Sequence, residues 1–69
     1  MQISARNQLK GKVKSVKLGN VMAEVVVELA SGEELVSAIT RGSAENLGLK
    51  VGDEVVAIIK STEVMIGKD

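Results

Sequence analysis

The stretch Leu9-Lys10-Gly11-Lys12-Val13-Lys14-Ser15-Val16-Lys17-Leu18 decides the fold. From Leu9 the residues alternate, with Leu9, Gly11 and Val13 on one face and Lys10, Lys12 and Lys14 on the other. A period of two marks a half-buried strand. After Lys14 the pattern slips by one, because Val16 and Leu18 continue the apolar set out of phase. One extra residue in an alternating strand is what a β-bulge inserts, and a bulge bends its strand. Gly11 inside the run marks a further bend or a close backbone approach. A strand that bends lets a small sheet curl and close.

Working outward, Gly19-Asn20 reads as a tight turn into a second strand over residues 21–30. Val21, Ala23, Val25, Val27 and Leu29 share one face of it, and the opposite face (Met22, Glu24, Val26, Glu28) is only half polar. Ser31-Gly32 closes a second hairpin, and Glu33 to Thr40 reads as strand three, again apolar on both faces. Residues 41–49 break the alternation. Thr40 and Ser43 are both suited to cap a helix, since either hydroxyl can accept from the free N–H groups of a first turn. Ala44, Leu47 and Gly48 fit a short helix stopped by a left-handed glycine. Val51-Gly52-Asp53 turns into strand four, Glu54 to Lys60, and after Ser61 and Thr62 a last strand runs from Glu63 to Ile66. This order predicts an all-β single domain over 1–69. Its architecture would be a five-stranded, OB-like Greek-key barrel with one short helix between strands three and four.

Composition narrows the function. The apolar residues are mostly β-branched, eleven Val and five Ile against six Leu, which favours strands. The 69 residues include no Cys, His, Phe, Trp, Tyr or Pro. Without Cys or His there are no disulfides and no zinc, haem or iron–sulfur ligands. Ser-His-Asp and Cys-His nucleophiles are excluded on the same ground, so the expectation is a protein that is not an enzyme. Nine basic against nine acidic residues give no net field for a polyanion, and no aromatic offers a stacking platform, which argues against nucleic acid. No run approaches the ~20 apolar residues of a membrane span. Arg6 and Lys10 interrupt any signal-like opening, so a cytoplasmic location is expected. A core this small supplies only ~3–5 kcal/mol, and without disulfide or metal staples oligomerisation is the remaining support. Apolar residues on both faces of strands two and three point the same way.

Three segments combine small hydroxyl residues with a cation: Ser4-Ala5-Arg6-Asn7, Thr40-Arg41-Gly42-Ser43 and Lys60-Ser61-Thr62. Each falls at a strand end or helix start, where backbone N–H groups can point at a ligand. Donors without an aromatic wall suit a compact anion, and a donor-rich site favours a fully deprotonated tetrahedral dianion over a partly protonated phosphate. Each segment also has a plain reading: Thr40 and Ser43 as helix caps, Lys60-Ser61-Thr62 as a solvated turn, Ser4 to Asn7 as a loose terminus. The lysines of strand one read as its solvated face.

Taken together, Ser4-Ala5-Arg6-Asn7-Gln8-Leu9-Lys10-Gly11, Ile39-Thr40-Arg41-Gly42-Ser43 and Lys60-Ser61-Thr62-Glu63-Val64 resemble the molbindins, the small molybdate-binding proteins of the Mop/TOBE type. The resemblance covers nearly the whole chain. It implies an OB-like barrel assembled as a homo-hexamer, a trimer of dimers, binding molybdate or tungstate between subunits for molybdenum storage and homeostasis, with no cofactor. The matching positions are Ser4, Ala5 and Arg6, then Thr40 and Ser43, then Lys60 and Ser61. An OB-type nucleic-acid module and a purely structural oligomerisation unit stand as the alternatives.

Overall fold

The computed structural model describes residues 1–69. In chain order the elements are β1 (Asn7–Leu18), β2 (Met22–Leu29), β3 (Glu34–Thr40), α1 (Arg41–Leu47) and β4 (Glu54–Ile59), followed by a single 3-10 turn, Ser61–Glu63. The four strands form one antiparallel sheet in the order β3-β2-β1-β4. β1 is therefore central and long. Its first half pairs with β4, from Asn7↔Ile59 to Lys12↔Glu54, and its second half runs with β2 to Leu18↔Ala23.

The bulge falls where the alternation slips. Val13 pairs with Val27 and Ser15 with Val26, which leaves Lys14 without a cross-strand partner. The extra residue keeps Val13 on the inner face, where it is 2% exposed, and Val16 packs against the same core. Gly11 shows why that strand needs a glycine. A Cβ there would sit 2.6 Å from Val27 Cγ1 and 2.7 Å from the Glu28 carbonyl oxygen, closer than carbon atoms approach. The core is Val13, Val25 and Val27, bordered by Val16, Leu29, Leu35, Ile39, Leu49 and Val55.

The helix is closed at both ends by the expected residues. Thr40, in extended conformation, is its N-cap, and Gly48 at φ 62° is its left-handed C-cap. The N–H of Leu49 then bonds back to the Ala44 carbonyl at 3.2 Å, which turns Leu49 onto the core.

Two expectations need correction. The segment Glu63 to Ile66 is not a strand: Glu63 closes the 3-10 turn, and Met65 and Ile66 are 91% and 90% exposed. The bonds from Glu63 N–H to Lys60 and from Val64 N–H to Ser61 turn the chain off the end of β4, where it meets no ladder partner. The barrel is therefore not closed. With four strands, β3 and β4 remain unpaired edges of a curled half-barrel. An apolar cleft of about 380 Å³ opens onto the inner face, lined by residues of β3 and β4 such as Leu35, Ile39, Val55 and Ile59. The outer face of β2 and β3 also carries uncovered apolar side chains; Val36, paired with Val26, is 68% exposed.

Candidate functional site

The topology sorts the seven residues singled out from the sequence into two groups. Ser4, Ala5 and Arg6 lead into β1, and Lys60 and Ser61 follow β4. The last pair of that ladder is Asn7↔Ile59, so Arg6 and Lys60 each lie one residue beyond it, side by side at one end of the sheet. Thr40 and Ser43 lie at the other end. Thr40 pairs with Met22 beside the β1–β2 turn, and Ser43 is in the first turn of α1. Eleven steps along β1 separate the two ends, ~36 Å if the strand were straight. One copy of the chain does not bring all seven residues around one ion.

The β1–β4 end is rich in unused donors. No hydrogen bond within the chain involves the backbone N–H of Ser4, Ala5, Arg6 or Lys60. Neither Arg6 nor Lys60 joins an ion pair, and both are exposed. The one hydrogen bond that residues 4–6 make within the chain runs to a residue outside the predicted set: Gln8 Nε2 donates to the Ala5 carbonyl at 2.7 Å. Gln8 stands inside the Ser4 to Gly11 segment that carries the resemblance, but no role for it was legible there, because a side-chain bond to the carbonyl three residues back leaves no periodic trace.

The β3–α1 end is largely satisfied from within. The Ser43 N–H donates to Thr40 Oγ1 at 3.0 Å, and the Thr40 hydroxyl donates to Ser43 Oγ at 2.7 Å. Thr40 thereby caps the helix, and the Ser43 hydroxyl keeps its own hydrogen available. The Arg41 N–H bonds the Val21 carbonyl at 2.7 Å. Its guanidinium donates to the Gly19 carbonyl at 3.3 Å and lies 3.4 Å from the Glu45 carboxylate. The cation of the middle segment is thus already neutralised, by a partner one helical turn away.

A third cluster lies between the ends. On the outer face Lys14, the bulged residue, donates to Glu34 across β2 and lies 3.9 Å from Glu28. The hydrogen bond and the charge of Glu34 raise the Lys14 pKa above its ordinary value. Lys12 stands between Glu28 and Glu54, and Lys17 beside Glu24, so the basic stripe of β1 has an acidic neighbour at every lysine except Lys10, which pairs with Val56. It reads as a solvated face, not a binding surface.

The chain is thus a small curled antiparallel sheet with one capped helix, its free donors gathered at the β1–β4 end. The TOBE domain model matches residues 3–66, and the chain belongs to that family. It is 61% identical over 66 residues to molybdenum-pterin-binding protein 3 of Clostridium pasteurianum, spanning 96% of this chain and 97% of that protein. Its fold is similar to the molybdate-binding protein of Sporomusa ovata, with a TM-score of 0.93 and 46% identity over 99% of this chain and 100% of the other. It is also similar to the cytoplasmic molybdate-binding protein ModG, in a form with molybdate bound. There the TM-score is 0.84 and the identity 48%, over 88% of this chain and 43% of ModG. No helix of the chain is long and apolar enough to cross a membrane.

Proposed function

We propose that the chain is a non-catalytic, cytoplasmic oxyanion-binding protein that captures molybdate, and with it tungstate, between the subunits of a homo-oligomer and so stores molybdenum. The observation that carries this reading is the β1–β4 end, where four backbone N–H groups without partners stand with two unpaired cations, Arg6 and Lys60. Such an arrangement supplies the donors and the positive charge that a dianion needs. The relatives named for molybdate and for molybdenum-pterin support the choice of anion, and ModG supports the compartment.

In this reading Ser4, Ala5, Arg6, Lys60 and Ser61 form one half of the binding surface, and Thr40 and Ser43 supply the other from a neighbouring copy. Lys60 and Arg6 contribute charge; the hydroxyls and N–H groups contribute direction. Molybdate and tungstate are fully deprotonated near neutral pH, so N–H and O–H donors suit all their oxygens. Phosphate carries a proton part of the time, and a hydroxyl that accepts that proton gains less than one donating to a bare oxyanion. Sulfate shares the charge but is smaller, so its rejection depends on the size of the assembled cavity. The oligomer, a hexamer built as a trimer of dimers on the family resemblance, would also cover the apolar outer face around Val26 and Val36 and the open edges of the half-barrel.

Thermal denaturation with a series of anions tests the reading, because a ligand bound only by the folded assembly stabilises it by about 2.7 kcal/mol at a hundredfold excess over Kd. Molybdate and tungstate should raise the melting temperature, with little effect from sulfate or phosphate. Equal shifts with all four anions would overturn the specificity. Native mass spectrometry of the same samples counts subunits and bound anions, and a monomer that binds molybdate would overturn the shared site.

A further inference from the structure

We propose that Gln8 is a positioning residue of the anion site, an inference that rests on the β1–β4 end being that site. Gln8 lies in β1 opposite Ile58, exposed, and its side chain reaches back to the Ala5 carbonyl at 2.7 Å. That carbonyl belongs to the same peptide unit as the Arg6 N–H. The unit is planar and trans, so its C=O and N–H point in opposite directions. Holding the Ala5 oxygen toward Gln8 therefore aims the Arg6 N–H away from it, and this N–H has no partner within the chain. The same bond keeps an acceptor oxygen from turning toward an anion, which in a site made of donors would be repulsive. No other hydrogen bond within the chain restrains residues 4–6. Without the Gln8 amide the segment would have to be ordered by the ligand itself, and ordering at the moment of binding lowers affinity.

The experiment compares the full-length wild-type chain with Gln8→Met, which keeps the length of the side chain and removes its donor. Sodium molybdate is titrated calorimetrically and the backbone amides are followed by NMR. Loss of one neutral hydrogen bond of this kind weakens binding by about 2- to 10-fold. The expected result is a Kd raised within that range, an unchanged melting temperature without ligand, and a molybdate-induced shift that shrinks at the Arg6 amide but persists at Lys60. Identical Kd and identical Arg6 shifts in the two proteins would overturn the role of Gln8 and leave the site standing. Loss of the shifts at Arg6 and Lys60 alike, with a lowered melting temperature, would make Gln8 a merely structural residue and overturn the proposal too. A wild-type chain that shows no response to molybdate would instead overturn the site.

Discussion

The two ends of the sheet carry similar side chains in opposite hydrogen-bonding states. At the β1–β4 end, Ser4, Ala5, Arg6 and Lys60 leave their N–H groups without intrachain partners, and both cations are unpaired. At the β3–α1 end, Thr40 and Ser43 bond one another, and Arg41 is held by Glu45 and the Gly19 carbonyl. Hydroxyls beside a cation are therefore not a site in themselves. What decides is whether the local fold already satisfies them. A helix start does so when an N-cap is present, because the cap takes up one of the N–H groups that an anion would otherwise meet. A strand end one residue beyond its last ladder pair has no such internal solution.

The sharpest way to break this comparison is Lys60→Ala. Lys60 is exposed and unpaired, so its loss should leave the ligand-free assembly as stable as before. A hydrogen bond to a charged group contributes ~1.5–3 kcal/mol, so molybdate Kd should rise by roughly 10- to 150-fold. Calorimetric titration measures it. A change of less than about twofold, within the scatter of a weak surface contact, would remove Lys60 from the site.

Thr40→Ala should add a loss of stability that Lys60→Ala lacks. Removing an N-cap costs ~0.5–2 kcal/mol of stability, read as a melting temperature lower by several degrees in a domain of this size. With Thr40 in the shared site, the Kd of the folded assembly for molybdate should also rise; an unchanged Kd would leave the β3–α1 end with capping α1 alone. Combining Thr40→Ala with Lys60→Ala decides how the two ends relate. Distant, independent positions add within ~0.5 kcal/mol, whereas groups around one ligand couple by ~0.5–3 kcal/mol. Coupling in the measured affinities would place both ends on the same anion across a subunit boundary. Additivity would assign them to separate sites.

How much of this was legible depends on the range of the interaction. The bulge was, because a one-residue slip between Val13 and Val16 has no other cheap explanation in a strand whose inner face is covered. Gly11, Thr40 and Gly48 were legible for similar reasons: each answers a local demand that few residues meet. The C-terminal strand was not. Val64, Met65 and Ile66 have strand-like composition, but a strand also needs a neighbour, and the 3-10 turn carries this one away from the sheet. The division of the candidate residues was hidden too, since it follows from the antiparallel register, which sets the start of β1 beside the end of β4 and far from Thr40. The quenching of Arg41 had a visible signal, Glu45 four positions on, whose consequence depended on the cap holding α1 in place.

The smallest expected effect lies at the bulge, midway between the ends. The Lys14 pKa is raised by its hydrogen bond to Glu34 and by that carboxylate's charge. A lysine whose pKa is higher folded than unfolded adds stability that is fully present below its ordinary value and is lost as the pH rises through the raised one. The contribution should therefore hold across the neutral range and fade only in strongly alkaline solution. Lys14 is exposed on the outer face, so solvent screens the link. Lys14→Met should lower the melting temperature only slightly at neutral pH, and the difference from wild type should vanish above the lysine range. Because the bend itself comes from the extra backbone residue, not from the ion pair, the two ends should keep their geometry and molybdate affinity should not change. An affinity loss in Lys14→Met comparable to that of Lys60→Ala would mean that the ends are coupled through the bend of β1, and the contrast between a satisfied and an unsatisfied end would no longer account for binding.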